Sequence, residues 1–123
     1  MEDLILKLGK NKPNVEFNAQ TGNFKINGRG LIVDYNEFLF PIEKWLKSFL
    51  KNPSESITLT INLDYFNTVA LKSLIKIISL IFSNLDKSKI TINWYYYDID
   101  TLEVLTDLED TLNIKFNKIE GII

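Results

Sequence analysis

At 123 residues, 46% of them hydrophobic and with a formal charge of −2, the chain is sized for one core and is poorly charged for a ligand held by phosphate neutralisation. It contains no cysteine and no histidine. Those absences exclude a disulfide framework, a thiolate zinc site, the usual neutral-pH general base and every triad built on imidazole.

The chain begins Met1-Glu2-Asp3-Leu4-Ile5-Leu6-Lys7, with acids ahead of a short apolar run, which is the wrong order for a secretory signal. No apolar stretch reaches the roughly 18 residues of a membrane span. The greasiest segment, Ile75 to Phe82, is broken by Lys76 and Ser79. A cytoplasmic protein with no membrane insertion is expected, folded as a single domain over residues 1–123.

Asn14 to Ala19 alternates, and after the turn Thr21-Gly22-Asn23 the pattern resumes at Phe24 and Ile26, which predicts a β-hairpin. Asp34 and Glu37 have capping-box spacing ahead of Phe38, Ile42, Trp45 and Phe49 at helical intervals. Pro41 must lie in that helix's first turn or bend it. Ser56 to Phe66 puts Ile57, Leu59, Ile61, Leu63 and Tyr65 on one face, with Thr58, Thr60, Asn62 and Asp64 on the other. A helix is predicted from Thr68 to Asn84 with Leu71, Leu74, Ile75, Ile78, Ile81 and Phe82 inward. Ile77 and Leu80 fall outside that stripe, so the helix is either deeply buried or part of an interface. Lys89 to Tyr97 repeats the strand alternation, Thr101 to Leu112 predicts a third helix, and Ile114 to Phe116 a last short strand.

Strands covered on both faces read as continuous apolar runs, whereas these are apolar on one face and Thr/Asn on the other. The fold class is therefore α/β, a mixed sheet of about five strands with helices mainly on one face. This layout resembles STAS-type, anti-sigma-factor-antagonist-like domains.

Strand 56–66 feeds the second helix through Tyr65-Phe66-Asn67-Thr68. Asn67 is a favoured N-cap and places Thr68 at the first helical position, although Thr68 can itself be the cap. A hydroxyl there faces unpaired N–H groups and the positive end of the helix dipole, so a phosphate would be well accommodated. Position alone favours the cap over the modification.

Four blocks together resemble the SiaC-type regulatory phosphoproteins of bacterial partner-switching systems. They are Pro13-x-Val15-x-Phe17 with Gly22; Gly28-Arg29-Gly30-Leu31 with Asp34, Phe38, Pro41-Ile42 and Trp45-Leu46; Leu63-x-Tyr65-Phe66-Asn67-Thr68-x-x-x-Lys72; and Trp94-Tyr95-Tyr96 with Asp98 and Asp100. The resemblance implies a non-enzymatic protein without cofactor or metal. It implies that Thr68 is phosphorylated by a cognate protein kinase and dephosphorylated by a PP2C-type phosphatase. The unphosphorylated form would bind a downstream effector, a diguanylate cyclase in the best-understood branch. Asn67 and Lys72 are the implied phosphosite neighbours, and Tyr65, Phe66, Asp98 and Asp100 are the partner-binding candidates. The effector's identity and any self-association are left open.

The chain departs from the family pattern beside the switch. Val69 and Ala70 replace two serines, Gly30 replaces the serine of the G-R-S segment, and Ile32-Val33 replaces its P-E pair. A second reading is therefore an interaction domain that keeps the fold without phospho-regulation. A third, from another class, is a small metal-dependent hydrolase using Asp98, Asp100 and Glu103. Their spacing does not match an EF-hand loop, and carboxylates favour helix starts in any case. Glu103 and Glu109 as an acid/base pair would need a pocket that the sequence does not announce. Gly28-x-Gly30 lacks the rest of a dinucleotide fingerprint and reads as a turn. Tyr95 to Tyr97 could stack on bases, but the charge favours core and interface roles and no nucleic-acid partner.

Overall fold

The computed structural model describes residues 1–122. The alternating segments assemble into one six-stranded sheet in sequence order: β1 (Leu4–Lys7), β2 (Pro13–Phe17), β3 (Asn23–Gly30), β4 (Ile57–Phe66), β5 (Ile90–Tyr96) and β6 (Asn117–Glu120). The first three strands are antiparallel, and β3 through β6 run parallel. Parallel neighbours need crossovers, supplied by α1 (Tyr35–Phe49), α2 (Thr68–Asn84) and α3 (Ile99–Leu112). Right-handed crossovers that step the same way across a sheet put every helix on one face. The burial agrees: Val15, Phe24, Ile57, Leu59, Ile61, Ile92 and Trp94 are buried, while Thr58, Thr60, Asn62 and Asn93 are half-buried and Thr91 is exposed.

β1 is the strand the periodicity did not announce. Four residues are too few to show an alternation, and the strand is fixed by its flanks. Asp3 Oδ1 accepts the Ala19 N–H at 2.8 Å, and Trp45 Nε1 donates to the Glu2 carbonyl at 2.9 Å. Trp45 also stacks on Phe49, with centroids 5.0 Å apart, and meets the stacked pair Phe17 and Phe24 edge-on. In α1, Asp34 caps the Glu37 N–H at 3.0 Å. Pro41 lies beyond the first turn, so the Glu37 carbonyl loses its usual helical donor.

The buried stripe of α2 is Ala70, Ser73, Leu74, Ile77, Ile78 and Ile81, rotated from the predicted one. So many of its positions are apolar that periodicity does not single out a face. The small residues Ala70 and Ser73 turn inward, and Ser73 Oγ donates to the Val69 carbonyl at 2.9 Å. Ile77 is core, and Ile75 is left partly exposed.

The last strand starts three residues later than predicted. Phe116 turns into the core beside Trp94, and its N–H donates to the buried Glu109 carboxylate at 2.6 Å instead of entering the sheet. Gly28 and Gly30 are not a turn. They lie inside β3, at a register shift against β4, with Gly28 at a φ of 107°.

Candidate functional site

The C-terminal ends of the parallel strands carry the residues singled out by the sequence. Ligands of parallel α/β sheets gather at these ends because loops and helix N-termini converge there. β4 ends at Phe66, Asn67 caps α2, and Thr68 is its first residue. Asn67 Oδ1 accepts the Ala70 N–H at 2.9 Å, so the cap belongs to Asn67 and not to Thr68. The amide of the same side chain donates to the Ile32 carbonyl at 2.9 Å, and the Asn67 N–H donates to the Gly30 carbonyl, also at 2.9 Å. Asn67 therefore ties the head of α2 to the segment leaving β3, where Val33 is 92% exposed.

Thr68 is exposed, and Lys72 is exposed one turn further along α2. No acid lies in the first turn of α2, whereas α1 has Glu37 and α3 has Asp100 there. α2 thus supplies no carboxylate of its own to the positive end of its dipole.

Tyr65, Phe66, Asp98 and Asp100 are brought together. With Tyr97 and Val104 they line a depression of about 270 Å³ between the end of β4 and the start of α3. Phe66 is half-buried, lying on Trp94 with ring centroids 6.1 Å apart. Tyr65 is half-exposed. At the surface, Arg29 forks onto Asp64, with Nη2 3.1 Å from Oδ2 and Nε 3.3 Å from Oδ1, and ties the end of β3 to β4.

The carboxylates singled out by the sequence serve different local roles. Asp98 Oδ1 caps α3 by accepting the Thr101 N–H at 2.7 Å, and that hydrogen bond holds its carboxyl below the ordinary range. Glu103 is exposed at the surface, while Glu109 is buried and takes hydrogen bonds from Lys118 and the Phe116 N–H. Among the described residues, no three potential ligands lie together.

Sequence reasoning missed Ile32 as the partner of Asn67, and it missed Tyr35 and Lys76, which share a second depression with Lys72. The Ile32-Val33 position was visible only as a departure from the family's P-E pair. Nothing local signalled Tyr35, because its role depends on how α1 lies against α2.

No helix among the described residues is long and apolar enough to cross a membrane. A search of curated proteins gave no sequence match. In fold, the chain is similar to apo-SiaC from Pseudomonas aeruginosa, with a TM-score of 0.78 at 20% identity over 99% of this chain and 100% of that one. It is also similar to a chain in the crystal structure of the P. aeruginosa diguanylate cyclase SiaD in complex with its activator SiaC. There the TM-score is 0.83 at 18% identity, over 97% of this chain and 100% of that one. A further structure of SiaC of P. aeruginosa gives a TM-score of 0.80 at 19% identity, over 98% of this chain and 100% of that one. The family model described as SiaC family regulatory phosphoprotein matches residues 6–121, and the chain belongs to that family.

Proposed function

We propose that this chain is a cytoplasmic, non-enzymatic adaptor switched by phosphorylation of Thr68, acting as one domain. A protein kinase adds the phosphate and a PP2C-type phosphatase removes it. The unphosphorylated form docks on an effector and controls it, and the effector favoured by the likeness to the SiaD–SiaC complex is a diguanylate cyclase. One observation carries the assignment: Asn67 holds the cap, so the exposed Thr68 hydroxyl is free for chemistry. The uncompensated start of α2 accepts a dianion without refolding. Partner binding uses Tyr65, Phe66, Asp98 and Asp100 beside it. Desolvating a phosphate in such an interface would cost several kcal/mol, on the order of a thousandfold in affinity.

The test is intact mass and site mapping on protein from the native host, followed by binding of phosphorylated and unmodified protein to a diguanylate cyclase of that host. A single phosphate on Thr68 and loss of binding on phosphorylation are expected. An unmodified Thr68, or equal binding by both forms, would overturn the switch. The unswitched interaction domain would then stand, a reading favoured by Val69, Ala70 and Gly30 in place of the family serines.

A further inference from the structure

The sheet has two free edges, β1 and β6, and they are built differently. β6 carries Lys118 and Glu120, charges of the kind that blunt an edge. β1 is Leu4-Ile5-Leu6-Lys7, apolar through its first three residues and without a proline or a bulge. The direction of its backbone groups follows from the hairpin beside it. Asn18 donates to the Asn23 carbonyl at 3.0 Å, so on β2 Asn18, Glu16 and Asn14 turn their backbone groups to β3, and Phe17 and Val15 turn theirs to β1. Leu4 and Leu6, opposite Phe17 and Val15, direct their N–H and C=O to β2. Those of Ile5 and Lys7 point outward, with no strand beyond them. The side chains alternate in the same way. Leu4 and Leu6 pack against the core, while Ile5 is 61% exposed on the uncovered face of the sheet beside Asp3, and Lys7 is exposed.

We propose that β1 is the seat for a second copy of this chain, the two β1 strands pairing antiparallel about a two-fold axis and joining two sheets into one. The segment Asp3-Leu4-Ile5-Leu6-Lys7 is complementary to itself, with an acid at one end, a base at the other and Ile5 at its centre. With Ile5 opposite Ile5 of the second copy, Asp3 of each copy falls opposite Lys7 of the other, and Leu4 falls opposite Leu6. These pairs coincide with the free backbone groups, which by the same alternation belong to Asp3, Ile5 and Lys7. The faces agree as well, with leucines meeting on the helix side and Ile5 and the charges on the open side. Charge complementarity selects the occupant, because a slip of two residues either way separates both ion pairs. Asp3 is already held in place, its Oδ1 accepting the Ala19 N–H at 2.8 Å. Neither Asp3 nor Lys7 is in an ion pair among the described residues. The two-fold closes the contact on itself, whereas a contact between β1 of one copy and β6 of another is head-to-tail and stays open.

The contact is small. About five residues a side meet, against the roughly 20 to 30 of a standard interface, so the dimer is weak, with a Kd on the order of 0.1 to 1 mM. It forms where the chain is concentrated, or where a partner holds two copies side by side. No residue proposed for switching or for effector binding lies on this edge, so the contact stands or falls apart from that reading.

The test follows the full, unphosphorylated chain from about 20 μM to about 1 mM. Sedimentation equilibrium should give a mass that climbs with concentration toward two copies and no further. Over the same range the amide signals of 15N-labelled protein should move at Asp3, Ile5 and Lys7 and stay fixed along β6. Lys7→Glu sets like charges opposite each other twice and should weaken the dimer about tenfold or more. Asp3→Lys does the same with two cations. Mixed in equal amounts, the two variants should pair with each other about as tightly as the parent pairs with itself, since opposite charges meet again at both ends. Asp3→Lys gives up the bond to Ala19, so thermal melts accompany each variant. If it melts below the parent, Ile5→Lys replaces it, an exposed site at which two cations would face each other on the two-fold, and it should also weaken the dimer about tenfold. A single-copy mass at about 1 mM, a mass that grows past two copies, or shifts centred elsewhere would overturn the proposal. So would a Lys7→Glu or Ile5→Lys chain that dimerises as tightly as the parent, or a mixture of well-folded variants that fails to recover.

Discussion

Asn67 and Ile32 are joined across 35 positions of sequence, the Asn67 amide donating to the Ile32 carbonyl at 2.9 Å while its oxygen caps Ala70. One side chain thus fixes both the start of α2 and the path of the chain leaving β3. Asn67→Ala loses both functions and should cost about 2 kcal/mol. Asn67→Asp keeps an excellent cap but turns an oxygen toward the Ile32 carbonyl, so it should cost about 1 kcal/mol. Urea unfolding midpoints separate the two. An aspartate variant as stable as the parent would show that the bond to Ile32 contributes nothing.

Gly30 is packed too tightly for a side chain. A Cβ there would stand 2.8 Å from Phe66 Cβ and 3.1 Å from both Phe66 Cα and the Tyr65 carbonyl oxygen. Two of those neighbours are backbone and cannot step aside. Restoring the serine that the family pattern has at this place, by Gly30→Ser, should therefore destabilise by about 1–3 kcal/mol. A thermal melt checks it, and an unchanged melting temperature would mean that the ends of β3 and β4 part without cost.

These two cases show why some of the molecule was legible in sequence and some was not. Strand and helix positions follow from alternation and caps within a few residues of each other, so Asp34, Asn67 and the Thr/Asn face of β4 could be read directly. The one-sided helix layer followed from that face. Gly30 looked like a turn because close approach to Phe66 is a fact of tertiary register. The face of α2 was misjudged by one position because its apolar residues cover most of the circumference. Thr68 stood out by its place at a helix start, but its modification, and Lys72 altogether, came only through family resemblance, since a surface hydroxyl and a surface lysine carry no local signal of function.

Glu109 ties α3 to the C-terminal strand and gives the fold an acid-sensitive point. Burial pushes its carboxyl up, but hydrogen bonds from Lys118 and the Phe116 N–H, with the charges of Lys118 and Lys115, outweigh burial and hold it below its ordinary 4.5. A lowered folded value means that this stabilisation is complete above the unfolded value and is lost as pH falls through the folded one. Glu109→Gln keeps an acceptor for Phe116 but abandons Lys118. It should cost about 1–2 kcal/mol at neutral pH and flatten the fall in stability below about pH 4.5. Melting temperatures of both proteins from about pH 2 to 7 test this. Parallel curves across that range would rule out Glu109 as a source of the acid sensitivity.

Thr68 substitutions should separate binding from folding. The side chain is exposed and gives no cap, so Thr68→Ala should leave the melting temperature nearly unchanged. Thr68→Asp puts a carboxylate where α2 has none in its first turn, and the dipole should stabilise it by about 0.3–1 kcal/mol. Binding should behave in the opposite way. The alanine variant should bind the effector like the unmodified protein and no longer respond to the kinase. The aspartate variant should bind about tenfold less tightly, short of the phosphoprotein's loss because it carries one negative charge instead of about two. Calorimetric titration of the cyclase, paired with thermal melts of the same samples, reads both quantities. Weakened binding accompanied by an equal loss of stability in either variant would place Thr68 in the fold, and the switch would have to be sought elsewhere.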